Sequence, residues 1–430
     1  MHLSLCHLAA AKEGDEPMTG IDLDRCKALD AADPLAPFRE RFALPEGVIY
    51  LDGNSLGALP KAASGRVAQV VAEEWGQSLI RGWTMHHWID LPRRVGDKIG
   101  RLIGAAPGEV LAADSTSVNL FKLMAAALRL KPDRRVILSE RSNFPTDLYI
   151  AEGLIELTGG RHELRLVDGA EISDAIDGDT ALVSVTHVNY RTGAMHDMAD
   201  ITARAHRAGA LVLWDLAHSA GAVPVDLNGC GADFAVGCGY KYLNGGPGAP
   251  AFLFAAHRHH AGLCPALSGW MGHAAPFAFE PGYRPADGLE RMLAGTPAVI
   301  GLAALEAGVD LMLEADSAAL RSKSLALGRL FVELMEQRCG RHGFRLASPA
   351  DDSSRGSQIC FAHGHGYPIM QALIARGVIG DFRAPDILRF GFAPLYVRHA
   401  DIWHAVDHLS AVMDSGEWDR PEFHARASVT

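Results

Sequence analysis

The sequence lacks the cysteine patterns of zinc-binding modules and of disulfide frameworks. Its seven cysteines are odd in number, are scattered over 430 residues and include no Cys-x-x-Cys pair, whereas both kinds of site space their cysteines regularly. The histidines at 257–260 and 363–365 lack the i, i+4 pair with a carboxylate that a helical zinc site needs. We therefore expect reduced thiols and surface histidines, and we predict no metal.

The sequence also lacks a long apolar run and a surplus of basic residues. No stretch approaches the roughly 18–20 apolar residues that cross a bilayer. Residues 1–20 have no basic segment of the kind that begins a signal peptide, and we interpret them as a disordered extension. The formal net charge of −11 excludes a domain-scale basic surface for nucleic acid. We expect a cytoplasmic protein that acts on a small molecule, with neither a membrane nor a nucleic acid as partner.

Short apolar runs alternate with helical patterns between about residues 95 and 255. The runs at 136–138, 181–185, 210–214 and 249–254 are predicted to be strands, and the middle two are almost continuously apolar, as in strands buried on both faces. A crossover helix is predicted from Met198 to a stop at Gly209. The pattern predicts an α/β fold with a mostly parallel sheet covered by helices.

The remaining chain predicts a second, smaller lobe. Residues 297–336 form one long helical pattern rich in Ala, Leu and Glu, and a helix of this length often links two lobes. Residues 340–415 mix short strands and helices. We predict a large domain over 66–312, a small α+β domain over 313–430, and an N-terminal segment over 21–65 that packs with the small domain.

The most informative residues are Asp215 and Lys241. Asp215 follows an apolar strand, where a carboxylate is costly without a cationic partner. A protonated pyridine nitrogen is such a partner. Lys241 lies 26 residues further on, in a loop rich in glycine, where a lysine can reach an aldehyde. Taken singly, Asp215 reads as a loop anchor and Lys241 as a solvated lysine. The combination of Asp-x-x-His at a strand end with an aromatic residue and lysine in a glycine loop is more specific.

A candidate phosphate site lies at residues 114–119, Asp-Ser-Thr-Ser-Val-Asn, which precede an apolar helical pattern at 120–128. Hydroxyls and free N–H groups at the start of a helix suit an anion. An ordinary Ser/Thr helix cap explains the segment equally well when it is taken alone.

The sequence resembles the kynureninases, which are fold-type-I pyridoxal-phosphate (PLP) enzymes related to class V aminotransferases. The likeness runs from about residue 50 to about residue 396, with the motifs in order. The matching motifs are Tyr-Leu-Asp-Gly-Asn-Ser-Leu-Gly at 50–57, Asn-Phe-Pro-Thr-Asp at 143–147, Asp-Leu-Ala-His at 215–218, Tyr-Lys-Tyr-Leu-Asn at 240–244, Gly-Trp-Met-Gly-His at 269–273 and Gly-Thr-Pro at 295–297.

The resemblance implies a cofactor site and assigns its residues. Lys241 would be the Schiff-base lysine of PLP, Asp215 the partner of the pyridine nitrogen and Phe144 a platform for the ring. The other cofactor-binding residues would be Thr116, Ser117, Tyr240 and Trp270 around the phosphate, Asp147, Thr186 and His218 along the ring edge, and Thr296 from the neighbouring subunit of a homodimer.

The resemblance also implies a substrate and a reaction. Arg389 would bind the substrate α-carboxylate with its guanidinium fork, although a surface arginine is the alternative. Trp83 and Asn54 would contact the substrate. From its position beside Lys241 alone, we predict that Tyr240 moves protons near the carbonyl group. The activity implied is hydrolysis of L-kynurenine to anthranilate and L-alanine in tryptophan degradation. Trp83 and Thr296 stand where the vertebrate-type enzymes look to carry His and Asn, which predicts 3-hydroxykynurenine as the weaker substrate. The alternative is that Trp83 is a core residue.

Three other functions would use parts of the same sequence. A cysteine desulfurase, or another class V aminotransferase relative, shares the fold, but a desulfurase places histidine over the ring and needs a mobile catalytic cysteine. Here Phe144 has the stacking position, and Cys339 and Cys360 lack a reactive-loop context. A metal protein would use the histidine groups at 257–260 and 363–365. A binding protein that kept the fold without catalysis would have no need of Lys241, Asp215 and Arg389.

Overall fold

The structure, a computed structural model, describes residues 21–426. The predicted extension at 1–20 lies outside the described residues. The strands are β1 (Ile49–Tyr50), β2 (Val110–Ala112), β3 (Val136–Glu140), β4 (Glu163–Val167), β5 (Thr180–Thr186), β6 (Leu211–Asp215), β7 (Phe234–Gly237), β8 (Phe252–Ala255), β9 (Arg345–Leu346), β10 (Gln358–Ala362), β11 (Val378–Ile379), β12 (Asp381–Arg383) and β13 (Ile387–Gly391).

The structure also contains α-helices. They are α1 (Leu23–Ala31), α2 (Lys61–Gln69), α3 (Gly76–Ser78), α4 (Gly82–Met85), α5 (Leu91–Leu102), α6 (Thr116–Leu130), α7 (Pro145–Leu157), α8 (Ile172–Ala175), α9 (Met198–Ala208), α10 (His257–His260), α11 (Val299–Glu314), α12 (Ser317–Cys339), α13 (Gly366–Ala375), α14 (His399–Ser415) and α15 (Pro421–His424). Within residues 21–426, no helix is both long enough and apolar enough to span a membrane.

The large sheet has seven strands in the order β2-β8-β7-β6-β5-β3-β4. The strands from β7 to β4 pair in parallel, and β8 runs antiparallel to both of its neighbours. Residues of β3, β5, β6 and β7 are buried throughout, because helices cover both faces. Side chains of β6 alternate between two cores: Val212 and Trp214 pack with α5, α9 and α11, whereas Leu211 and Leu213 pack with α6 and α7. The predicted fold class is confirmed.

A second sheet, antiparallel with the order β12-β13-β10-β9, lies in the C-terminal part. Its core includes side chains of α12, α13 and α14 together with Ile21, Cys26, Leu35 and Phe42 from the N-terminal segment. β1 pairs in parallel with β11, which ties that segment to the C-terminal part. The domain limits at 65/66 and 312/313 stay a prediction.

The structure confirms the predicted end of one helix and corrects the predicted start of one strand. Helix α9 ends as predicted, at Gly209 with φ 78°. The last predicted strand, at 249–254, is wrong at its start, since β8 begins at Phe252.

The single long helix predicted over 297–336 is also wrong, since α11 and α12 are separate helices. Ala315 is extended (φ −85°, ψ 141°), and the Asp316 side chain accepts a hydrogen bond from the backbone N–H of Ala319 to start α12.

Histidines of both groups already contact polar atoms of the protein. His259 Nε2 lies 2.7 Å from Asp233 Oδ1, and His363 Nε2 lies 3.0 Å from the carbonyl oxygen of His342. His260 is buried, with Nε2 2.8 Å from the carbonyl oxygen of Ala255, so the expectation of a surface histidine is wrong there. Among residues 21–426, no group of three or more His, Cys, Asp and Glu side chains is arranged to hold a metal ion.

Candidate active site

One cavity lies where the carboxyl ends of the parallel strands meet the starts of α6 and α7. Thr186 ends β5 and pairs in register with Asp215, which ends β6. Ligands gather at this edge in open α/β sheets. The cavity brings together nine of the predicted site residues, and its lining is Thr116, Ser117, Leu120, Phe144, Thr146, Asp147, Thr186, Tyr190, Asp215, Ala217, His218, Tyr240 and Lys241.

The loop that carries Lys241 is held by the backbone on both sides. Asn244 N–H donates to the carbonyl oxygen of Lys241 at 2.9 Å, and Gly57 N–H donates to that of Tyr240 at 2.8 Å. A Cβ at Gly57 would lie 2.3 Å from the Lys241 carbonyl oxygen, so the 50–57 motif needs glycine for this close approach. The N-terminal segment therefore fixes the backbone of the lysine loop.

His218 is the nearest polar neighbour of the Lys241 amine. Lys241 Nζ lies 3.0 Å from His218 Nε2, and Lys241 Nζ also lies 5.8 Å from the centre of the Tyr240 ring. Burial, followed by the positive charge of Lys241, lowers the pKa of His218 well below its usual range. His218 is therefore a neutral ring at neutral pH.

Two buried carboxyl groups, Asp147 and Asp215, share the cavity with that one lysine. Burial and then the charge of Asp215 raise the pKa of Asp147 well above its usual range, while Lys241 opposes the shift. Burial also raises the pKa of Asp215, against Lys241 and the hydrogen bond from Ala217 N–H to Oδ1 at 2.7 Å. Burial is the first cause of both shifts, and a further cation in the cavity would favour ionisation of the two carboxyl groups.

The chemistry of this cavity fits PLP. Asp147 Oδ2 and His218 Nδ1 are buried without a hydrogen-bond partner, and a buried polar atom normally has one. A protonated pyridine nitrogen would provide the missing cation, and the polar substituents of the ring would provide hydrogen-bonding groups.

The start of α6 supplies an anion site at the same cavity. Ser115 is the N-cap, and its hydroxyl accepts from the Val118 N–H at 3.3 Å. Thr116 and Ser117 occupy the first turn and line the cavity. The cap and the anion site are thus separate features, because Ser115 caps the helix while the next two residues line the cavity. Free N–H groups and the helix dipole at this end favour a phosphate.

A hydrogen-bonded chain positions Phe144 at the cavity wall. The Thr186 hydroxyl donates to Asn143 Oδ1, which also accepts from the Phe144 N–H at 2.9 Å. Asn143 Nδ2 in turn donates to the Ser139 hydroxyl at 3.1 Å. The Phe144 ring meets the Tyr190 ring edge-on, with centres 5.2 Å apart. The phenyl ring is half-exposed and can pack against a planar ligand.

Arg389 adjoins this cavity from β13. Its Nη1 donates to the carbonyl oxygen of Tyr190 at 2.7 Å, and its side chain is 1% exposed. Nε and Nη2 donate to the carboxylate of Asp381, which lies opposite on β12. The alternative of a surface arginine is therefore wrong.

The other four predicted site residues do not line the cavity within one chain. Trp270 and Trp83 both contact the exposed ring of Phe277, with ring centres 5.5 and 6.5 Å apart. Trp83 is itself partly buried and packs against both cores of the large sheet, in line with the alternative of a core residue. Thr296 lines a separate cavity beside Asp114. Asn54 is fully buried and donates to Gln358 Oε1 at 3.3 Å.

Comparisons with known proteins give the family. A kynureninase from Burkholderia pseudomallei (strain 1106a) is 57% identical over 408 residues, which cover 94% of this chain and 98% of that protein. The chain belongs to the kynureninase family. A kynureninase from Pseudomonas fluorescens is 55% identical over 410 residues, covering 94% of this chain and 99% of its own length. The family model for the kynureninase C-terminal domain matches residues 320–409. The predicted resemblance is confirmed.

Solved structures of enzymes with other names share this fold. The apo structure of a cysteine desulfurase from Thermococcus onnurineus NA1 has a TM-score of 0.74 at 20% identity and covers 88% of this chain and 98% of its own. A mutant of C-DES with glycine covalently linked to the PLP cofactor has a TM-score of 0.75 at 18% identity, covering 86% and 98% of the two chains. At these identities the likeness concerns the fold.

The two cysteines considered for a desulfurase, Cys339 and Cys360, lie in surroundings that do not suit a catalytic thiol. Cys339 and Cys360 are fully buried, and burial raises the pKa of Cys339 to about 11 and that of Cys360 to about 12. Thiols in that state are poor nucleophiles. Phe144 also stands at the wall where a desulfurase would need histidine.

Sequence reasoning missed several residues of the site. Tyr190 and Thr146 line the cavity, and Asp381 binds Arg389. Thr146 lies inside the 143–147 motif, so the sequence could have indicated it as a site residue. Tyr190 follows β5 and Asp381 lies on a three-residue strand, and neither has a local signal that marks it.

Proposed function

We propose that this chain is a kynureninase that uses PLP to hydrolyse L-kynurenine to anthranilate and L-alanine. The observation that carries the proposal is the single cavity that joins Lys241, Asp215, Phe144 and the start of α6 in a chain of this family. Among the residues that line it, Lys241 has the one primary amine.

Each residue then has a role that follows from its position. Lys241 binds the cofactor aldehyde, and Asp215 binds the ring nitrogen. Phe144 contacts one face of the ring, and Thr116 and Ser117 bind the phosphate. When bound, the cofactor supplies an electron sink for the bonds at the substrate α-carbon. The Lys241 amine takes the α-proton. Asp147, Thr186 and His218 lie around the same cavity and contact the ring edge in this proposal.

The net reaction breaks the Cβ–Cγ bond of the substrate and consumes one water. The hydroxyl of that water joins the γ-carbonyl carbon, which leaves as the carboxyl group of anthranilate, and a proton joins Cβ, which becomes the methyl group of alanine. Arg389 binds the substrate α-carboxylate through Nη1, the guanidinium nitrogen that lies next to Tyr190. Asn54 and Trp83 are assigned to the substrate side, with Asn54 acting from its buried position beside Gln358.

The direct test follows anthranilate fluorescence after L-kynurenine is added to PLP-loaded protein, beside a visible spectrum of the same sample. We expect a cofactor band and anthranilate release, and no sulfide release from L-cysteine. A cofactor band without anthranilate would favour a non-catalytic binding protein, and sulfide release would favour a desulfurase.

Tyr240 is the proposed proton donor near the carbonyl group. Burial, followed by the nearby Cys238 and Asp215, raises the pKa of its hydroxyl, so Tyr240 keeps its proton at neutral pH. We expect Tyr240→Phe to lower kcat about a hundredfold and to change the pH–rate profile, with little change in KM. Tyr149→Phe, on the exposed face of α7, is the control and should behave as wild type. Unchanged kcat and pH profile in Tyr240→Phe would refute the role.

Substrate preference is proposed to depend on Trp83 and Thr296. We expect a higher kcat/KM for kynurenine than for 3-hydroxykynurenine, because Trp83 offers bulk and Thr296 is shorter than asparagine. The double change Trp83→His and Thr296→Asn should move the ratio toward the hydroxylated substrate by about tenfold. Trp403→His, in α14, is the control substitution. A wild-type preference for 3-hydroxykynurenine would contradict this assignment.

We further propose a homodimer in which Thr296 reaches the neighbouring subunit's site, and in which Trp270 completes a phosphate site. An exposed aromatic patch supports an interface, because contiguous exposed apolar patches mark interaction sites: the rings of Trp270, Phe277 and Phe279 contact one another. We place the protein in the cytoplasm, a reducing compartment. The six cysteines among residues 21–426 are all unpaired, which supports this placement.

A further inference from the structure

A second cavity lies at the edge of the large sheet opposite to Lys241. We call it the arginine cavity after Arg129, Arg134, Arg135 and Arg161, which line it. It lies where α6 and α7 end and where β3 and β4 begin, whereas the candidate active site lies at the starts of the same two helices. Since α6 has 15 residues, the two cavities are at opposite ends of a helix about 22 Å long.

The arginine cavity has the size and the partly apolar lining of a small-molecule site. Its volume is about 890 Å³, and small-molecule sites occupy roughly 300–1,000 Å³. The apolar part of its lining is Phe121, Ala125 and Leu128 of α6, Leu154 and Leu157 of α7, and Ala266. Leu157 is 72% exposed, so an apolar ligand that covered it would remove apolar surface from water.

The charged part of the same lining has an excess of arginine. Four arginines and one aspartate, Asp133, line the arginine cavity, which is an excess of three positive charges. The whole chain has a formal net charge of −11. The excess is therefore local and opposite in sign to the protein as a whole, and a concave surface with charges of one sign attracts the opposite ion.

Two of the four arginines are available to a ligand. Within the described part of the chain, the guanidinium groups of Arg129 and Arg135 make no hydrogen bond and no ion pair, and both residues are exposed. Arg134 donates to the carbonyl oxygens of Thr180 and Ala208, both at 2.8 Å, and Arg161 donates to that of Thr158 at 3.1 Å. Arg134 and Arg161 thus stabilise the chain locally, while Arg129 and Arg135 do not.

His162 gives an independent indication of a ligand in the arginine cavity. It lines the cavity, and its Nδ1 is buried without a hydrogen-bond partner among residues 21–426, although a buried polar atom normally has one. Burial, followed by the charges of Arg161 and Arg135, lowers the pKa of His162. The ring is therefore neutral at neutral pH, and a neutral imidazole has one N–H that can donate to an oxygen of an anion.

We propose that the arginine cavity binds a small organic acid with an apolar body. The acidic group lies at Arg129 and Arg135, within reach of His162, and the apolar body packs against Leu128, Leu154 and the neighbouring apolar side chains. Binding there requires neither a bound substrate nor the chemistry at Lys241, because the two cavities have no lining residue in common.

The test uses two dyes that differ in charge. 8-Anilinonaphthalene-1-sulfonate (ANS) has an apolar body and one sulfonate, and N-phenyl-1-naphthylamine has the same rings without the sulfonate. Both dyes become fluorescent when they leave water, so titration into the PLP-loaded protein gives a Kd for each. We expect the double change Arg129→Gln and Arg135→Gln to raise the Kd of ANS at least about tenfold, and to leave the Kd of the uncharged dye within about twofold.

Arg207→Gln is the matched control, because Arg207 is also an exposed arginine in the last turn of a helix, α9. It should keep the wild-type Kd for both dyes. Leu157→Asp, at an exposed position, should raise the Kd of both dyes, since it adds a charge to the apolar lining.

Three outcomes would overturn the proposal. The first is an unchanged ANS Kd in the double variant, which would place the dye elsewhere, for example at the exposed rings of Phe277 and Phe279. The second is an equal rise for the charged and the uncharged dye, which would mean that the arginines do not act through charge. The third is an equal rise in Arg207→Gln, which would reduce the effect to net charge.

Discussion

Replacing Lys241 by alanine is expected to lower kcat for L-kynurenine at least about a thousandfold, because the change removes both the cofactor attachment and the base for the α-proton. Borohydride reduction of the PLP-loaded wild type should leave the cofactor mass on the peptide that contains Lys241. The variant should show no such peptide. Anthranilate fluorescence and mass spectrometry of the digest measure the two effects.

Two other lysines serve as controls for this experiment. Lys61 is exposed on α2, and Lys61→Ala should keep wild-type turnover and labelling. Lys122 is fully buried, but its Nζ already donates to Asp114 and to the carbonyl oxygen of Met292 at 2.6 Å. It should therefore stay unlabelled in the wild type. Cofactor mass on the Lys122 peptide would contradict the assignment of Lys241.

Replacing Asp215 by asparagine is expected to lower kcat at least about a hundredfold. The amide keeps the size of the side chain but loses the charge that keeps the ring nitrogen protonated. Asp215→Glu restores the charge and should recover part of the activity. The visible spectrum of the bound cofactor provides a second readout, and we expect it to change with the asparagine variant and to return toward wild type with glutamate.

Asp147→Asn is the matched comparison for Asp215. Both carboxyls are buried in the same cavity and both have a raised pKa, but Asp215 ends a strand while Asp147 lies in the first turn of α7. We expect the smaller loss of kcat from Asp147→Asn. A larger loss there, with Asp215→Asn close to wild type, would reverse the two assignments.

Much of the site could be predicted because its signals are local. Asp215 was recognisable as a carboxylate after a fully apolar strand, and Lys241 as a lysine in a glycine loop. The stop of α9 at Gly209 was equally readable, because a left-handed residue at that position suits glycine. The break between α11 and α12 was missed, since residues 297–336 keep a continuous helical composition and the only stop signal is one capping aspartate.

Contacts between distant parts of the chain could not be predicted in this way. Arg389 meets the Tyr190 carbonyl oxygen 199 residues away, and Ser55 meets Arg389 across 334 residues. Such pairs depend on how the small sheet packs against the large one, and no local periodicity encodes that arrangement. The approach of Gly57 to the lysine loop is of the same kind.

By itself, the sequence determined the α/β fold, the family and the pair Asp215 and Lys241. Strand burial, turn chemistry and motif order each depend on short segments of neighbouring residues. Only the tertiary structure decided which groups surround that pair. It placed Asp147 and His218 in the cavity with unpaired buried atoms, and it kept Trp270 and Thr296 out of the cavity lining of a single chain. The physical reason is that the charge balance of a buried site depends on every group packed there, whatever its distance along the chain.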